Sequence, residues 1–106
     1  MYELIKVLAK IELFTGENML QSPIYSKYRP VFDFKGARTK LSGRIDLIDM
    51  DNFAPGTSGT VQVSFIKGMI NDDSFKKGEA FTISEGGKYV LGKGEILDII
   101  IGKESK

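Results

Sequence analysis

The sequence predicts a small all-β domain, a barrel or a sandwich built from six short strands. Three observations carry this. Apolar residues recur at every second position in run after run, glycine and proline punctuate the runs, and no stretch makes a convincing amphipathic helix. The 106 residues are enough for one domain. A chain of this size buries roughly 60–70% of the surface it would expose unfolded, so it holds a core without staples.

The first run places Ile5, Val7, Ala9, Ile11 and Leu13 on one parity and Lys6, Lys10 and Glu12 on the other, with Leu8 an exception. A helical spacing through Leu4, Leu8 and Ile11 competes, but the β-branched residues favour a strand. The second run sets Tyr28, Pro30, Phe32 and Phe34 against Arg29, Val31 and Asp33. Pro30 belongs at the strand start or on an edge, because it has no N–H to give a ladder. The third run sets Leu41, Gly43, Ile45 and Leu47 against Ser42, Arg44 and Asp46.

Pro55-Gly56 marks a turn with glycine at positive φ. Beyond it Val61, Val63 and Phe65 alternate with Thr60, Gln62 and Ser64, and Asn71 to Ser74 reads as a polar loop. Phe81 and Ile83 mark a short strand, and Gly86-Gly87 closes a hairpin. Tyr89 to Ile101 is the last strand, where Gly92 and Gly94 predict a bulge or sharp bend. The expected core includes Leu41, Ile45, Val61, Val63, Phe65, Phe81 and Ile83. Residues 1–101 are read as the domain and 102–106 as a flexible polar tail.

Composition narrows the chemistry. There is no cysteine, which removes disulfides and thiolate metal sites, and no histidine, the commonest general base and metal ligand. A net charge of +1 gives no global pull toward nucleic acid or membrane. No apolar run approaches the roughly 20 residues of a membrane span. Glu3, Lys6 and Lys10 break what a signal peptide would keep apolar or positive, so the expected location is cytoplasmic.

The motifs that hint at catalysis fail on chemistry. Gly87 to Lys93 matches the opening of a phosphate-binding loop, yet Gly94 follows where a hydroxyl must hold magnesium, and the residues between form a β run. Asp46, Asp49 and Asp51 lack the glycine and the bidentate glutamate of a calcium loop. Asp98, between Leu97 and Ile99, is the one acid in an apolar context, and strand alternation accounts for it. The expectation is no enzyme activity, no nucleotide and no cofactor.

The segment from Lys27 to Arg44 stands apart. It holds Lys27, Arg29, Lys35, Arg38, Lys40 and Arg44 against Asp33 alone, a local charge of +5, with Tyr25, Tyr28, Phe32 and Phe34 interleaved. Such a stripe can bind phosphates and stack bases. On composition alone, inward aromatics and a solvated basic face explain it as simply.

Three segments, in order and spacing, resemble the third, C-terminal domain of elongation factor Tu. The first is Ser22-Pro23 with Tyr28-Arg29-Pro30 and Phe32-Asp33-Phe34. The second is Pro55-Gly56 followed by the strand Thr60 to Ile66. The third is Phe81 with Glu85-Gly86-Gly87 and Gly92-Lys93-Gly94. Together they span about Lys6 to Ile100. The departures are Gln21 where the family carries a histidine, Ser84 where it carries a basic residue, and a longer, more basic connection from Phe34 to Leu41.

The resemblance implies a six-stranded antiparallel β-barrel with Greek-key-like connections, standing here without the GTPase domain. It implies a non-catalytic binding module that contacts RNA backbone, as the family's domain contacts the T-stem of tRNA, or a translation-factor partner. The family positions near RNA correspond to Arg29, Ser42, Glu85 and Gly86. The basic residues Lys35, Arg38, Lys40 and Arg44 extend that surface. An alternative of another class is a small regulatory or immunity protein that mimics the factor and binds a protein that targets it.

Overall fold

The alternation becomes seven strands in the computed structural model, whose described residues are 4–34, 39–66, 77–85 and 89–101. They are β1 (Leu4–Leu13), β2 (Val31–Phe34), β3 (Thr39–Ser42), β4 (Arg44–Leu47), β5 (Ser58–Ile66), β6 (Ala80–Ser84) and β7 (Val90–Ile101). Every ladder is antiparallel. The strands form one sheet in the order β3-β2-β6-β7-β1-β5-β4, curled into a half-barrel. No helix of the described residues is long and apolar enough to cross a membrane.

This corrects the expected closed barrel of six strands. The run from Leu41 to Leu47, read as one strand, is two, separated at Gly43. Among the strands, β3 pairs only with β2 and β4 only with β5, so the ladder has two ends. Packing explains the break. A Cβ at Gly43 would stand 2.6 Å from Phe65 Cε1 and 2.8 Å from Phe32 Cε1, so the backbone passes directly over two rings. Isolated bonds lace the seam: the Gly43 N–H reaches Pro30 O at 3.2 Å, the Ile45 N–H reaches Tyr28 O at 2.8 Å, and the Lys27 N–H reaches Ile45 O at 2.7 Å.

The core lies on the concave face. All the predicted members are buried, together with Ile5, Val7, Ala9, Ile11 and Leu13 of the central strand β1. Phe32 is the hub of an aromatic cluster, 5.1 Å from Phe65 and 5.2 Å from Phe81 between ring centroids, both edge-on. Each such pair adds about 0.5–1.5 kcal/mol beyond the area it buries.

Gly92 and Gly94 sit in register opposite Leu13 and Ile11, and the β1–β7 irregularities fall further along, at Lys6/Val7 and Leu8/Ala9. A shift in the β6–β7 ladder does lie beside Gly92, at Ile83/Ser84. At Gly94 the need is space: a Cβ there would meet the Lys10 carbonyl and the Phe81 ring.

Two features place the end of the sheet. Gly56, with φ +85°, turns the chain so that its N–H bonds Leu13 O at 2.8 Å. Ile24 and Phe53, both buried, exchange two backbone bonds of 3.0 Å, and Ser26 Oγ accepts the Leu47 N–H at 2.9 Å. The long connection from β1 to β2 is thereby pinned across the end of the sheet.

Candidate functional site

Two elements meet at this end: the pinned connection and the end of β6. Lys27 takes φ +79°, in the left-handed region, and this turns the chain sharply into Tyr28. Tyr28 is half-buried, and its hydroxyl donates a 2.6 Å hydrogen bond to Glu85 Oε2, just past β6. Burial, then the hydrogen bond and charge of Glu85, push the Tyr28 hydroxyl well above its ordinary value. Tyr28 therefore stays a donor at physiological pH, and Glu85 stays anchored.

Glu85 borders two adjoining concavities. The first, of about 390 Å³, is walled by Pro23, Ile24, Tyr25, Tyr28 and Lys27 among others. The second, of about 270 Å³, is walled by Asn18, Met19, Leu20, Gln21, Tyr89 and Leu91. Tyr25 is 60% exposed, Tyr89 44% and Val90 43%, a gathering of large apolar surface on one end of the molecule.

The other predicted residues spread along the outer face. Arg29 is exposed just before the buried Pro30. Exposed Ser42 stands opposite Val31, which stands opposite Ser84, the neighbour of Glu85. Two strand spacings put Ser42 and Ser84 about 10 Å apart. The structure thus brings Ser42 and Glu85 toward one end. Lys40 is exposed and stands opposite Asp33, and Arg44 pairs with Asp46 at 3.0 Å. Lys35, Arg38 and Gly86 lie outside the described residues.

Charges on the outer face are matched across strands. Lys93 stands opposite Glu12 and Lys10 opposite Glu95, in addition to Lys40 opposite Asp33. Opposite charges in such positions contribute roughly 0.2–1 kcal/mol each and cancel one another's field. The acid opposite Lys40 is already counted in the +5 of the basic segment, and the Arg44–Asp46 pair offsets one further charge. No protein-family model matches the chain.

Sequence reading missed Met19, Leu20 and Tyr89. Their signal was present: apolar Met19-Leu20 between the polar Asn18 and Gln21, and Tyr89 two residues after the Gly86-Gly87 pair. The candidate phosphate loop ends inside β7, with Lys93 on an extended strand facing Glu12 and Thr82. An extended backbone cannot wrap a phosphate. This end of the sheet gathers an anchored carboxylate, exposed aromatic surface, and backbone held by a cross-sheet bridge.

Proposed function

We propose that the chain is a non-catalytic binding module, built like the third domain of elongation factor Tu, that works in the cytoplasm. It docks a translation-factor protein against the end of the sheet around Glu85. The observation that carries this reading is the gathering of exposed Tyr25 and Tyr89 around the Tyr28–Glu85 hydrogen bond. Tyrosine is enriched in protein interfaces because it offers large contact area with a polar tip. The matched charges of the outer face favour a protein over a polyanion.

The reading is tested by calorimetric titration with the GTPase domain of elongation factor Tu, the neighbour that the resemblance supplies. Saturable binding that a Tyr25→Asp and Tyr89→Asp double variant removes is the expected result. A second reading, RNA-backbone contact, is favoured by Arg29, which is exposed and has no acid partner among the described residues. It predicts binding to a purified tRNA at low salt, with log affinity falling by about 0.7–0.9 per phosphate contact per log unit of salt. A mimic that binds a protein targeting the factor predicts that neither titration saturates.

A further inference from the structure

We propose that the concavity between the 18–21 turn and the start of β7 is a pocket for one arginine side chain of a protein partner. The inference rests on the reading of the chain as a protein-binding module and names the chemistry of the contact. The pocket is walled by Met19, Leu20, Leu91 and Tyr89, with Asn18, Gln21 and Glu85 as polar members. Glu85 is the only charged residue among those described that line it. The first concavity, across Glu85, carries Lys27 and is the wrong place for a cation.

Of the polar members, Glu85 and Gln21 present acceptors. One Glu85 oxygen takes the Tyr28 hydroxyl, which fixes the carboxylate and leaves its other oxygen and further lone pairs open. The Gln21 Nε2 is occupied by two backbone carbonyls, Met19 O at 2.7 Å and Gly16 O at 3.1 Å. Its Oε1 is the end left to accept.

An anchored carboxylate, an amide oxygen and an aromatic wall suit a guanidinium. Its planar fork donates to both oxygens, it stacks on a tyrosine face, and its methylene stem covers aliphatic wall. A phosphate or a carboxylate would be repelled by Glu85 and would meet no cation among the described lining residues. Met19, Leu20 and Leu91 give the wall an aliphatic side against which the methylene stem can pack.

The test is an amide-resolved NMR titration of the full chain with the capped peptide acetyl-Leu-Arg-Leu-amide, beside its citrulline analogue. Citrulline keeps the shape and removes the charge. Expected are saturable shifts confined to 18–21, 85 and 89–91, with the arginine peptide bound about tenfold tighter than the citrulline one. Glu85→Gln should remove that preference, whereas Glu95→Gln, at an acid matched by Lys10 elsewhere on the outer face, should keep it. Glu85 is exposed, and an unchanged circular dichroism spectrum checks the fold of the variant. Equal binding of the two peptides, an unchanged preference in Glu85→Gln, or no saturable shift would each overturn the pocket. Loss of peptide binding with the GTPase-domain titration intact removes this pocket alone. The reverse outcome removes the elongation-factor partner and keeps the pocket.

Discussion

The Tyr28 hydroxyl and the Glu85 carboxylate, 57 residues apart in the chain, meet at 2.6 Å. The bond ties the connection before β2 to the end of β6, at the junction of the two concavities. Tyr28→Phe removes it without changing the ring. We expect a loss of about 1 kcal/mol in urea denaturation, the usual net value of one hydrogen bond, since Glu85 is solvated.

The same bond sets a pH dependence. The folded chain holds the Tyr28 proton more tightly than the unfolded chain, where the hydroxyl has its ordinary value near 10.0. The contribution to stability is therefore fully present below about pH 10 and is lost as the pH rises above it toward the raised folded value. Stability should fall at high pH in the wild type and fall less in Tyr28→Phe. Tyrosinate absorbance of the folded chain should lack one residue's share until it unfolds.

Phe32 contacts Phe34, Phe65 and Phe81 and is fully buried. Phe32→Ala leaves a cavity at the hub of the cluster, at a cost of about 3–5 kcal/mol. Against a typical stability of about 5–15 kcal/mol this brings the chain close to unfolding, which a shift of the urea midpoint reads directly.

Gly43→Ala drives a methyl into the Phe65 and Phe32 rings, with an expected cost of about 1–3 kcal/mol. Phe65→Leu in the same chain should relieve part of it. A double-mutant cycle in which the two costs simply add would show that the close approach is not what requires glycine.

No hydrolysis of GTP or ATP is expected. Lys93, the lysine of the phosphate-loop match, lies on strand β7 opposite Glu12. Turnover by a purified sample that Lys93→Ala abolishes would overturn this.

Much of the architecture was legible along the chain, and the reason is local. Solvent on one side and core on the other impose a period of two, so Ile5 to Leu13, Phe32, Phe34, Val61 to Phe65, Phe81 and Ile83 declare their faces by spacing alone. Pro55-Gly56 declares its turn by conformational preference. Nothing local says which strand lies beside which. That Lys40 meets Asp33, that Lys93 meets Glu12, and that Tyr28 reaches Glu85 depend on register between distant segments. The basic stripe therefore stood out by composition, while the placing of Lys40 opposite Asp33 across the β2–β3 ladder stayed hidden. The division of the 39–47 run at Gly43 is likewise a tertiary decision. The glycine was visible in the sequence, but the rings of Phe32 and Phe65 that press on it come from two other strands.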